Sequence, residues 1–255
     1  MRSKHRNIAL LSALVTLALG VSASAASAAI KYEWKVNGSA LATGASKEYT
    51  LKKKAGNPVY MTLYIPGGKL ALEVGAFRVK TASPHKIVGG KPGTLEATLE
   101  LENIQFSTKY PLYHESCHVT PKTVVTESLT AELVEAVEHI ETEGKSEYRG
   151  TNIPELLMHP VHGEHWFSLE FKGECPTLTG APYEVNGLKY VLGVTPSLAE
   201  AKIGDLSLEA NHRYYQTSGK IVGESSDLAM GREDHIGFNG EAELELVSKE
   251  VFGAF

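Results

Sequence analysis

Aspartate is nearly missing from this 255-residue chain: Asp205, Asp227 and Asp234 stand against 27 glutamates. Calcium loops and paired-aspartate catalytic sites draw on Asp, and no D-x-D-x-D-G run occurs, so both classes lose support. Basic residues are also short, with 25 Lys and Arg against 30 Asp and Glu and a net charge of −5. Nucleic acid is therefore excluded as a partner, because phosphate recognition needs a basic footprint. P-loop, G-x-S-x-G and G-x-G-x-x-G patterns are absent, which leaves nucleotide, serine-hydrolase and dinucleotide chemistry without a motif. Beyond the first 29 residues no apolar run approaches the roughly 20 residues of a transmembrane helix. The chain is nonetheless 42% apolar and 22% charged, with 24 Gly and 11 Pro, which excludes a disordered polymer and leaves material for a real core.

What is present begins with an export signal. Arg2, Lys4 and Arg6 precede an uncharged apolar run from Ile8 to Val21, followed by small residues from Ser22 to Ala29. This order predicts a cleaved signal peptide at 1–28, ending at Ala26-Ser27-Ala28, with Ala23-Ser24-Ala25 as the alternative cleavage site. Removing three basic residues would move the formal charge from 25 − 30 = −5 to 22 − 30 = −8. In an oxidising compartment the two cysteines, Cys117 and Cys175, most simply form one disulfide; two free thiols or metal ligands are the competing reading.

The expected mature region, 29–255, reads as strands. Alternating or β-branched runs recur at Tyr32–Asn37, Val59–Ile65, Leu70–Val79, Leu95–Phe106, Val119–Val125, Trp166–Phe171, Tyr183–Val185, Lys189–Val194, Leu206–Ala210, Arg213–Thr217 and Glu241–Val247. Gly, Pro and Asn-Gly signals separate them, which predicts an all-β fold, an antiparallel sandwich or barrel. Glu127–Thr142 is two-sided: Leu129, Leu133, Ala136, Val137 and Ile140 fall at helical spacing, whereas Leu129, Ala131 and Leu133 also alternate. An echo runs through the chain in order, with Val36-Asn37-Gly38 answered by Val185-Asn186-Gly187, Lys86–Gly89 by Lys220–Gly223, and Glu96–Leu101 by Glu241–Leu246. Two related halves, 29–125 and 150–255, would explain it, and so would chance similarity among strand-and-turn words.

Candidate chemistry is sparse. His114-Glu115-Ser116-Cys117-His118 matches H-E-x-x-H, in which two histidines on one helix face hold zinc and the glutamate activates its water. As a metallopeptidase it would use His114 and His118 as ligands, Glu115 as base, and a third ligand from Glu135, Glu138 or a later histidine. Pro111 and Pro121 bracket the motif, Cys117 lies inside it, and Val124 stands where a third metzincin histidine belongs. His159, His162, Glu164 and His165 crowd what reads as a hairpin turn, able to hold a divalent ion or simply to expose imidazoles. Ser83 and Lys86 have S-x-x-K spacing without the S-D-N or K-T-G that should follow. Glu102, Glu170, Glu209 and Glu245 could contain a glycosidase pair but fit solvent-facing strand positions better. Tyr32, Trp34, Trp166 and Phe167 read as core aromatics rather than a sugar platform.

Cys117-His118-Val119, Thr126–Val134, Met158-His159-Pro160, Phe171–Cys175 and Val185-Asn186-Gly187 together resemble uncharacterised secreted β-rich proteins of actinobacteria. The resemblance implies that Leu129–Val134 is a strand and that Cys117 and Cys175 are structural. It supplies no activity and no catalytic residues. The expectation is an exported, non-enzymatic β protein without a cofactor, binding a cell-wall or other extracellular ligand or serving a structural role. The alternatives are a zinc metallopeptidase and a carbohydrate-binding sandwich.

Overall fold

The computed structural model describes residues 32–65, 68–107, 116–142, 144–175, 182–187, 190–195, 200–208, 214–217, 220–222, 229–230 and 234–255. The expected signal peptide, together with His114, Glu115 and Glu209, lies outside them. Among the described residues every regular element is a strand. The fold is all-β, built from antiparallel sheets packed together as in a sandwich.

One large sheet runs Val124–Val125, Leu99–Glu102, Ala76–Val79, Ser46–Lys53, Glu241–Leu246, Ile203–Ser207, Tyr190–Thr195, Lys145–Pro160, Leu129–Thr142, Tyr214–Thr217 and Lys220–Val222. Two short strands, Lys86–Val88 and Thr94–Ala97, pair with each other and link Ser46–Lys53 to Leu129–Thr142. The second sheet runs Gln105–Phe106, Gly68–Val74, Val59–Ile65, Asp234–Asn239, Ala229–Met230, Tyr183–Asn186, His165–Lys172 and His118–Thr120. A third, small sheet joins the two ends of the described chain: Trp34–Val36 pairs with Ser39–Ala40 on one side and with Phe252–Ala254 on the other.

Period-two alternation drives this arrangement, since successive side chains of a strand point to opposite faces. In Glu241–Leu246, Ala242, Leu244 and Leu246 are buried while the three glutamates between them stay half-exposed. Val59, Met61 and Leu63 point inward from their strand in the same way. The inward faces of all three sheets merge into one hydrophobic core, to which Trp34, Tyr49, Leu72, Leu101, Trp166 and Phe252 contribute. Outward glutamates meet basic partners across strands: Arg78 pairs with Glu100 and Glu102, Lys52 with Glu243, and Lys54 with Asp205 and Glu241. Much of the glutamate excess thus lies on the outer face of the large sheet, where such pairs add little stability but keep the surface wet.

Three of the expected strands change sheet partway. Leu70–Val79 divides at Gly75, with Gly68–Val74 in the second sheet and Ala76–Val79 in the large one. Leu95–Phe106 returns across the same corner at Asn103, whose φ is +53°. The two corners touch: a Cβ on Gly75 would sit 2.7 Å from Cβ of Asn103. Val119–Val125 divides likewise, into His118–Thr120 and Val124–Val125. Glu127–Thr142 resolves to a strand, Leu129–Thr142, because its partner Lys145–Pro160 supplies ladder bonds along its whole length. Strands from both ends of the chain alternate within the sheets, as where Asp234–Asn239 lies against Val59–Ile65 and Glu241–Leu246 against Ser46–Lys53.

Candidate functional site

The cysteines form a disulfide, Cys117–Cys175, buried at the edge of the second sheet. It fastens the outermost strand, His118–Thr120, to the chain leaving its neighbour, His165–Lys172. The crossing is tight. Gly173 has φ +91°, and a Cβ there would lie 2.0 Å from the Ser116 carbonyl oxygen. Glycine is needed on both counts, for its left-handed backbone and for the close approach.

His118 starts a strand and points to solvent, its Nδ1 3.1 Å from the Ser116 carbonyl oxygen. The H-E-x-x-H reading asks for a helix across Leu112–Val119 and a free Cys117; the described part of that stretch, 116–119, is a turn leading into a strand, and its cysteine is bridged. Glu135, proposed as a further ligand, is buried elsewhere, with its carboxylate accepting from the Asn152 backbone N–H at 3.3 Å. Glu138 stands on the exposed far part of the Leu129–Thr142 strand. No three His, Cys, Asp or Glu side chains converge to hold a metal ion among the described residues.

The histidine-rich turn is not a hairpin. Lys145–Pro160 belongs to the large sheet and His165–Lys172 to the second, so Val161–Glu164 carries the chain between layers. His162 and Glu164 are exposed there, His159 is held near the Pro160 carbonyl oxygen at 3.0 Å, and His165 lies 3.3 Å from the Asn186 side-chain oxygen. The four do not share a focus. Lys86 of the S-x-x-K stretch is committed to Glu96 at 3.3 Å. Glu102 pairs with Arg78, Glu170 with Lys172 and Glu245 with Lys249, each in its own surface ion pair. Tyr32, Trp34, Trp166 and Phe167 are all core, with the Trp34 indole donating to the Thr94 carbonyl at 2.8 Å and the Trp166 indole to the Gly187 carbonyl at 2.9 Å.

Two segments that looked unrelated in the sequence do meet. Pro84, from the Ser83–Lys86 stretch, and Val161, from the histidine-rich connection, line one surface groove of ≈ 390 Å³. Glu96, Ala97, Thr98, Ser128, Leu129 and Thr130 complete its lining. Register explains the convergence: Lys86 stands opposite Glu96, Glu96 opposite Thr130, and Thr130 opposite His159, giving one polar row across four strands. The Val161 lip is anchored by its N–H donating to the Ser128 carbonyl at 2.8 Å. From below, the Tyr49 hydroxyl donates to the Glu96 carbonyl at 3.0 Å, and burial pushes the Tyr49 phenol far above its ordinary pKa, with Glu96 adding to the effect. The groove therefore offers one carboxylate already balanced by Lys86, the hydroxyls of Ser128 and Thr130, and apolar contact from Pro84 and Val161, with Thr98 and Leu129 buried in its floor. Its residues come from four separated segments, so no local spacing announces it. A second void, between Phe77, Leu101, Met158, Trp166 and Phe238, is only ≈ 20 Å³ and wholly apolar, room for little more than one water.

Among the described residues no helix is long and apolar enough to cross a membrane. No protein-family model, no curated protein and no solved structure matches this chain.

Proposed function

We propose that the chain is an exported, non-enzymatic binding protein of the extracellular space or cell envelope, and that the groove between Pro84 and Val161 seats its ligand. The observation that carries this is the convergence of Glu96, Ser128 and Thr130, from separate segments, on one open groove. The leader-like residues 1–28 and the Cys117–Cys175 bridge support an oxidising destination. The ligand that fits is polar and uncharged, such as a segment of cell-wall glycan. Serine and threonine hydroxyls exchange hydrogen bonds with sugar hydroxyls, while the apolar lips cover the C–H faces. A strongly charged ligand would find the Glu96 carboxylate and Lys86 ammonium already neutralising each other.

Co-sedimentation of the mature protein with purified peptidoglycan sacculi tests this. Retention of the wild-type chain, with at least about tenfold weaker retention of Thr130→Trp, is expected, because an indole would fill the groove at its polar row. Wild-type protein that stays in the supernatant, or Thr130→Trp bound as well as wild type, would overturn the proposal.

A further inference from the structure

The longest feature of the fold is the hairpin of Leu129–Thr142 and Lys145–Pro160. Its base is built into the large sheet. Tyr214–Thr217 pairs with Glu135–Val137 on one side, and Tyr190–Thr195 pairs with Glu155–Met158 on the other. Beyond that base, Leu129–Thr142 is the only described strand that pairs with residues 145–153, and no described strand pairs with their second edge. The change occurs at an irregularity. Glu135 pairs with Pro154 and Val137 with Gly150, so Ala136 is spanned by three residues of the partner strand. The Thr151 hydroxyl donates to the Ala136 carbonyl at 2.7 Å, Asn152 takes φ +57°, and Pro154 follows where no ladder donor is needed. Such a bulge bends and twists a strand, setting the two-stranded ribbon apart from the body.

A strand edge that no described strand pairs with is a template for pairing, and proteins usually guard such edges with charges. Here the charges are ordered. Glu147 and Arg149 are exposed, lie two residues apart on one face, and have no ion-pair partner among the described residues. Between them stands Tyr148, 41% exposed, and Ile153 further along is 46% exposed. If the strand meets its own copy antiparallel about Tyr148, Glu147 of each copy falls opposite Arg149 of the other, Ser146 opposite Gly150, and Lys145 opposite Thr151. Parallel in-register pairing would instead place like charges together. Antiparallel self-pairing is two-fold and consumes both edges, so it closes as a dimer rather than growing into a fibre.

From this charge complementarity we infer that a second copy of the chain docks on the Lys145–Ile153 edge, joining two sandwiches through a four-stranded ribbon. The inference is independent of the groove. It is tested by sedimentation equilibrium of the full mature protein over a concentration series. Wild type should show a monomer–dimer equilibrium. Glu147→Arg alone and Arg149→Glu alone should each weaken it about tenfold or more, since two attractive cross-strand pairs become repulsive. The double variant, Glu147→Arg with Arg149→Glu, should restore it. These positions are exposed, and an unchanged far-UV circular dichroism spectrum verifies that each variant is folded. A monomer at every concentration, single variants that dimerise like wild type, or a double variant that fails to recover would each overturn the inference.

Discussion

Removing the disulfide should cost this protein more than any single surface contact can supply. The perturbation is Cys117→Ala with Cys175→Ala; alanine is chosen because both sulfurs are buried. The two positions are 58 residues apart in sequence. In the chain-entropy treatment, opening a loop of that length gives the unfolded state about 4 kcal/mol of extra freedom. The native state should change little, because ladder bonds between His118–Thr120 and His165–Lys172 already hold the two ends together. Nearly all of the effect should therefore appear in global stability. At roughly 2–4 °C per kcal/mol for a domain of this size, the melting temperature should fall by about 10 °C. Urea titration and calorimetry of the double variant beside wild type give both numbers. A loss below about 1 kcal/mol would refute the argument, since the loop would then be constrained without its bridge. A separate low-temperature transition would also count against it, by showing that only the edge strand had come loose.

Trp166→Ala should destabilise by about 3–5 kcal/mol in urea titration, because a buried indole and its bond to the Gly187 carbonyl are both lost. Gly150→Ala should cost about 1–3 kcal/mol, since its Cβ would lie 2.3 Å from the buried Glu135 carboxylate; adding Glu135→Ala should remove most of the alanine penalty in a double-mutant cycle. Alkaline pH should unfold the chain. Burial first, and the Glu135 charge second, push the Tyr32 phenol up to about 12, and burial raises Tyr49 as well. Both pKa values are higher folded than unfolded, so their contribution is complete below the ordinary phenol value near 10 and is lost as pH rises through the folded values. Phenolate absorbance and the urea midpoint, followed together from about pH 9 upward, should move in step. Elemental analysis of chelator-free mature protein should find no stoichiometric zinc, because His118 lies on an extended strand and Cys117 is bridged; one equivalent, lost in His118→Ala, would revive the metallopeptidase alternative.

Alternation made several strands legible where one face is buried, although Ser46–Lys53, with only Tyr49 and Leu51 inward, and Asp234–Asn239 were not among those expected. Val59–Ile65 coincides with its expected limits, and Glu241–Val247 differs by a single residue. The same signal cannot say to which sheet a strand belongs. In Leu70–Val79 the inward set changes phase at Gly75, from Leu70, Leu72 and Val74 to Phe77 and Val79, but the change alone does not say that the chain moves from one layer to the other. For the same reason the connection at Val161–Glu164 resembled a hairpin: two good strands and a polar turn look alike whether the strands pair or part. Lys145–Pro160 escaped because residues 145–150 are exposed on both faces and carry no apolar alternation; its extended form is fixed by the partner strand. The groove was hidden for a related reason. Thr98, Ser128 and Thr130 are ordinary strand residues until cross-strand register sets them beside Pro84 and Val161.

The pairing of Trp34–Val36 with Phe252–Ala254 carries a consequence for the timing of biogenesis. Backbone bonds between Glu33 and Phe255 run in both directions at 2.8 and 3.0 Å, and the Lys35 ammonium lies 4.4 Å from the centre of the Phe255 ring. Trp34–Val36 must wait for a partner synthesised more than two hundred residues later, so this pairing cannot form until Phe252–Ala254 has left the ribosome. Contacts of such separation are slow to close. The Trp34 indole, fully enclosed in the finished molecule, is uncovered during that interval. The core around Trp34 thus stays open until Phe252–Ala254 is free to pair. The cost is a period in which a chaperone, rather than Phe252–Ala254, must shield Trp34–Val36.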